Sequence, residues 1–281
     1  MSRNKKRDSK MKSTVKLQNI VILIAFIVFL NAGIAHAGIA VTPERHILKL
    51  GPGEEAGVDY KIYNSGEEDI HIRVDVREWT KSAGNKDIDI DSWLFIENKE
   101  FDVEAGKTQP LNVKVKAPDK ATGEMVAMIF LCYQERKSSP LHLRHGNPLY
   151  LIIKGTEKHD ARIDKIDCVY FKDPRRNNRS CLQVSVNIAN TGNIHIKPDI
   201  KLDITDKKAN VLQQLEIKDG HPIFSGQNYA YKLEWWDADL AEGTYAARVT
   251  VAYQDKIKLP EKSIKFEFSD GKVKLLEAAA K

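Results

Sequence analysis

"SSPLHLRHGNPLYLIIKG", residues 138–155, is the stretch on which the reading of this chain turns. Leu141 and Leu143 alternate with polar neighbours, His145-Gly146-Asn147-Pro148 carries turn residues, and Leu149 to Ile153 is apolar throughout. Alternation marks a strand with one buried face, and a short unbroken apolar run marks a strand buried on both faces. The stretch is therefore either a closing core strand preceded by a surface loop, or an edge that another chain can extend.

Toward the N-terminus, a basic leader precedes the eleven-residue apolar run "IVILIAFIVFL" and the small-residue stretch "NAGIAHA". This is the layout of a secretory signal peptide, residues 1–37, with Ala35 and Ala37 as the cleavage pair. Eleven helical residues reach about half of a ~30 Å hydrocarbon core. The competing reading is an uncleaved anchor lengthened by Ala32 to Ala35. The leader holds seven Lys or Arg and one acid, so it supplies +6 of the net +5 and leaves −1 for the exported part. The basicity thus belongs to export, and a nucleic-acid partner is not indicated.

Past the leader, the opening stretch has many counterparts. "VDYKIYN", "IHIRVDVREW", "LNVKVKAP", "MVAMIFLCYQ", "LQVSVNIAN", "YAYKLEWW", "YAARVTVAYQ" and "SIKFEF" are all of strand length and bounded by Gly, Asn, Asp or Pro. "IHIKPDIKLDI" reads the same way, and no helical period is sustained outside the leader. Such regular short strands predict an all-β fold of sandwich type.

The chain also repeats itself. Gly106 and Gly226, Gly123 and Gly243, and Tyr133 and Tyr253 are each 120 positions apart, and "YNSGEEDIHIRV" answers to "ANTGNIHIKP". Two tandem immunoglobulin-like sandwiches are predicted, over 38–156 and 157–271, with a polar connector around 154–165. Asn64-Ser65-Gly66 and Asn190-Thr191-Gly192 would each end a strand, with Gly at positive φ. Gly123 and Gly243 would open central strands. The remainder, 272–281, is a helix-prone tail ending in the pattern of a semi-rigid linker.

An exported chain meets oxidising conditions, so the three cysteines matter. Cys168 and Cys181 flank "VYFKDPRRNNRS", a hairpin with a polar tip, and are expected to pair. Closing so short a loop is worth roughly 2–3 kcal/mol on the chain-entropy model. Cys132 shares a face with Val126, Met128 and Phe130 and reads as a small buried hydrophobe.

"VTPERHILKL", "GEMVAMIFLCYQ" before a long loop, and "NPLYLIIKG" leading into a second sandwich resemble the layout of periplasmic pilus-assembly chaperones. The resemblance implies two immunoglobulin-like domains in the bacterial periplasm, the first lending an edge strand to an incomplete pilin subunit. Leu141 and Leu143 would face that partner, with Leu149 and Leu151 continuing the row. Main-chain hydrogen bonds would give affinity, and alternate side chains would give selectivity. The family grips a terminal carboxylate with an Arg and a Lys. Ile47 and a position near Asn147 fall there in this chain, with Arg45 and Arg144 close enough to substitute.

Other clusters suggest less. Asp87, Asp89 and Asp91 offer hard oxygens for calcium, but a calcium loop of EF-hand type wants Gly at the sixth position and Glu at the twelfth. This chain has Ser92 and Asn98 there. His142 and His145 have no Cys or acid at a metal-site spacing. Arg175 to Arg179 is a basic cluster read either as a phosphate contact or as a solvated turn. Trp235 and Trp236 would present one ring to each face of a strand, one to the core and one to a contact. Asn178-Arg179-Ser180 fits a glycosylation acceptor, relevant only in a eukaryotic secretory pathway.

No catalytic motif is present, so the reading is non-enzymatic and without cofactor. Function is then expected to be capture of a pilin-like or other secreted β-rich subunit, with an outer-membrane assembly component as a further partner. The other reading is a structural or adhesive surface protein with tandem spacer domains.

Overall fold

The computed structural model describes residues 38–134, 140–254 and 257–276. The expected signal peptide, Ser138-Ser139 and residues 277–281 of the expected tail lie outside the described residues. Nine strands precede residue 154: β1 Ile39–Thr42, β2 His46–Leu50, β3 Glu55–Asn64, β4 Ile70–Lys81, β5 Leu94–Phe95, β6 Glu100–Val103, β7 Thr108–Lys116, β8 Glu124–Gln134 and β9 His142–Ile153. They form two facing sheets, ordered β1-β3-β7-β5 and β2-β9-β8-β4-β6. Nine more follow: β10 Ala161–Asp173, β11 Arg179–Asn190, β12 Asp199–Asp206, β13 Val211–Ile217, β14 Asn228–Trp236, β15 Gly243–Tyr253, β16 Ile257–Lys258, β17 Lys262–Ser269 and β18 Lys272–Leu276. Their sheets are β10-β11-β14 and β13-β12-β15-β17-β18, with β16 beside β15.

The fold is therefore all-β, a pair of sandwiches, with only three short 3-10 turns as helical structure among the described residues. Among the same residues no helix is long and apolar enough to cross a membrane. Each sandwich has its own core, because inward positions recur every second residue: Val58, Tyr60 and Ile62 on β3, and Leu182, Val184, Val186 and Ile188 on β11. β8 and β15 are central, as the glycines before them suggested. The expected helical tail is corrected over 272–276, where Val273 and Leu275 pair with Phe268 and Phe266 as strand β18. Propensity yields there to an open sheet edge that can use the hydrogen bonds.

The internal repeat is physical. Asn64 and Asn190 are both buried to 1% exposure. Asn64 Nδ2 donates to the carbonyls of Glu68 and Val103, and Asn190 Nδ2 to those of Ile194 and Ile223. Each Oδ1 accepts the N–H of the glycine two residues on, at 2.9 Å. Each asparagine carbonyl also accepts a glycine N–H, from Gly106 or Gly226. Those two glycines do have positive φ, 68° and 73°. Gly66 and Gly192 do not, which corrects the expectation for them: the asparagine side chain, not a left-handed glycine, makes those turns. Asn64→Ala removes the side-chain donor from the Glu68 and Val103 carbonyls and Asn190→Ala that from Ile194 and Ile223, of which Ile223 keeps the Ile196 N–H, and each should cost about 1–3 kcal/mol in urea unfolding.

The expected Cys168–Cys181 disulfide is absent, and all three cysteines are free thiols. Cys168 lies opposite Val184, whereas Cys181 lies opposite Phe171, three register steps away. Three steps are about 10 Å along the strand, beyond the reach of an S–S bond, and an odd number of steps sends the two thiols to opposite faces. Cys168 enters the core. Cys181 is fully buried on the outer face, beside its cross-strand neighbours Phe171 and Trp236. Burial pushes the Cys168 thiol up to about 12 and that of Cys181 to about 11. The melting midpoint should accordingly be unchanged by excess reductant, and neither Cys168 nor Cys181 should react with a thiol reagent before unfolding.

Candidate partner-binding site

β9 runs unbroken from His142 to Ile153, so the expected turn at 145–148 does not form. Gly146 serves packing instead: a Cβ there would lie 3.0 Å from the Phe130 ring and 3.1 Å from the Met128 sulfur. On one side β9 pairs with β8 along its whole length, from His142↔Gln134 to Ile152↔Glu124. On the other side β2 runs parallel to it and covers only Leu149 to Ile153.

The cause lies where the chain changes sheets. β1 pairs with β3 in one sheet, the chain crosses at Pro43-Glu44-Arg45, and β2 joins β9 in the other. Proline has no N–H for a ladder, so pairing stops there. Residues 142–148 are left with no strand on their outer side among the described residues.

Alternation then sorts the candidate residues. Leu143, His145, Asn147, Leu149 and Leu151 share the inward face, while His142, Arg144, Gly146 and Pro148 point outward. Leu149 and Leu151 are fully buried in the core, which corrects their assignment to a partner surface: they lie on the part of β9 that β2 already covers. Leu143 is half-buried and Leu141 is 62% exposed, at the end of the same row. His142 and His145 point to opposite faces and do not converge on one ion.

Arg144 and Arg45, expected to stand in for the carboxylate grip, have different surroundings. The Arg144 guanidinium lies 3.5 Å over the Phe130 ring and donates to Asp75 at 2.6 Å, on the outer face. Asp75 holds Arg77 as well. Arg45 instead lines an open cleft of ≈ 580 Å³ at the sheet crossing, with Val41, Thr42, Glu44, His145 and Pro148. Asn147 is structural: it is buried, and its Nδ2 donates to the Glu44 carbonyl, tying β9 to the crossing. Ile47 is 47% exposed and opposite Tyr150.

Beneath the crossing, His46 and Tyr60 meet edge to face, with ring centroids 4.8 Å apart. The buried Tyr60 hydroxyl has no hydrogen-bond partner among the described residues, and burial pushes its phenol well up. An unsatisfied buried hydroxyl costs free energy. Tyr60→Phe should therefore be neutral or stabilising by up to about 1 kcal/mol in denaturant unfolding.

The remaining sequence candidates have local roles. Asp89 caps the short turn Ile90–Ser92 by accepting from Asp91 N–H. Arg179 forks onto Asp237, and Arg176 lies 4.5 Å over Trp236. Trp235 packs against the core. The parallel β2–β9 pairing was not anticipated, although "HILKL" does alternate, with His46, Leu48 and Leu50 inward.

No protein-family model and no curated protein matches this chain. Among solved structures, the chain is similar to the class 5 fimbriae chaperone CfaA, at 12% identity over 86% of this chain and 100% of that one, TM-score 0.43. It is also similar to the YadV chaperone, at 10% identity over 81% and 98%, TM-score 0.41. A third is the CsuC–CsuE chaperone–tip adhesion subunit pre-assembly complex of Acinetobacter baumannii, at 14% identity over 69% and 90%, TM-score 0.39. At these identities and scores the functional argument rests on the chain's own geometry.

Proposed function

We propose that this is an exported, non-enzymatic chaperone-like protein that captures a β-rich subunit by edge-strand addition during pilus or surface assembly. The observation that carries the reading is the half-covered strand β9: residues 142–148 have β8 on one side and no strand on the other among the described residues. An unpaired edge with a row of inward side chains offers backbone hydrogen bonds for affinity and side-chain pockets for selectivity. Leu143 and Leu141 continue the core row past the point where β2 stops, so they can complete the core of a subunit that lacks a strand. Arg45 is the cation in the adjoining cleft and would take an acidic group or chain terminus of that subunit.

The test is recovery of partners on the tagged exported protein from the envelope of its native host, read by mass spectrometry. A small β-rich subunit at equal stoichiometry is expected. Leu141→Asp with Leu143→Asp should reduce its recovery at least about tenfold, since two charges would have to be buried at the new interface. The double variant should melt as the parent does, because both residues lie outside the core. Unchanged capture by the variant would remove the edge as the site, and recovery of envelope components without any such subunit would favour a spacer role.

A further inference from the structure

The two sandwiches meet at a joint built around one carboxylate. Glu124 opens β8, and its side chain is 4% exposed. Its Oε2 accepts two hydrogen bonds from His195 of the second sandwich, from the backbone N–H at 2.7 Å and from the ring Nδ1 at 2.7 Å. Its Oε1 is buried with no partner among the described residues. The backbone closes the joint around them: Glu124 N–H donates to the Asn193 carbonyl, Gly123 N–H to Thr156 Oγ1, and Asn193 Nδ2 to the Thr156 carbonyl. Val126, Tyr150 and Phe224 form a small separate apolar cluster alongside, and the His195 ring lies 5.0 Å from that of Tyr150.

We infer that the Glu124–His195 contact is a proton-dependent latch between the two sandwiches, tight when the imidazole is protonated and loosened when it is neutral. Protonated, the ring supplies the positive charge that a buried carboxylate requires. Neutral, the same Nδ1–H bond remains, but the carboxylate is then buried without a counter-charge, which favours states in which the joint opens to water. Histidine is the side chain whose charge changes in the neutral pH range.

Among the described residues, His195 is the cation ion-paired with Glu124. On β9, the Tyr150 phenol is pushed up by burial and by Glu124, with Arg45 opposing, so it stays neutral over this range. On β15, burial likewise pushes up the Tyr253 phenol. From the second sandwich, Lys197, Lys218, Asp199 and Asp219 share a cleft of ≈ 420 Å³ with His195, and Lys197 is held by Asp219 at 3.0 Å. This inference is independent of the proposed capture of a subunit.

Native-state hydrogen exchange on the whole exported chain tests it. The Glu124 and His195 amides both bond across the joint, while those of Ile129 and Val249 report on the two cores. After correction for intrinsic exchange, protection of the joint amides should fall about tenfold from about pH 5.5 to about pH 8, with the core amides unchanged. In His195→Gln the joint amides should show low protection with no dependence on pH. A flat profile in the parent protein overturns the latch without need of any variant, and so does the same pH response in a folded His195→Gln protein.

Discussion

The ladder between β8 and β9 is the constraint on which the rest of this protein depends. It runs in continuous register from Glu124↔Ile152 to Gln134↔His142 with no bulge. Because the register is unbroken, the alternation set by Leu149 and Leu151 in the core is carried outward to His145 and Leu143. A slip of one residue would invert every side chain of β9 and bring Arg144 into the sandwich. Phe130 and Met128 guard against this from the outer face, since they close over Gly146 and accept Arg144 above the ring.

Much of the architecture was legible in the sequence because it rests on period-two alternation and on a repeat. Asn64 and Asn190 are the clearest case: two matching tripeptides 126 positions apart make matching sets of hydrogen bonds. The reason assigned to them was wrong, however, because an asparagine side chain can shape a turn as well as a left-handed glycine can. The disulfide failed for a related cause. Thirteen positions separate Cys168 from Cys181, but only strand register tells whether they face one another, and register depends on where the tip of the hairpin turns.

The candidate site was legible in part. Leu141 and Leu143 were singled out by alternation together with the resemblance to pilus-assembly chaperones, and they lie at the exposed end of β9, Leu141 just before the strand begins. What the sequence could not show was the parallel arrival of β2, about one hundred residues earlier in the chain, which buries Leu149 and Leu151 and sets where the free edge begins. Nor could it show the partner of His195, because Glu124 lies in the other sandwich. Long-range pairings of this kind leave no local periodicity to read.

The same ladder places the free edge and the joint at its two ends. Glu124↔Ile152 adjoins the second sandwich, and Gln134↔His142 lies ten residue steps away, about 33 Å at the usual strand rise. β8 and β9 together are therefore a lever arm. A swing of about 5° at the joint carries the far end through about 3 Å relative to the second sandwich, more than half the spacing of neighbouring strands. The charge state of one buried contact is thereby geared to the position of the edge, without any change in the edge's own sequence or pairing.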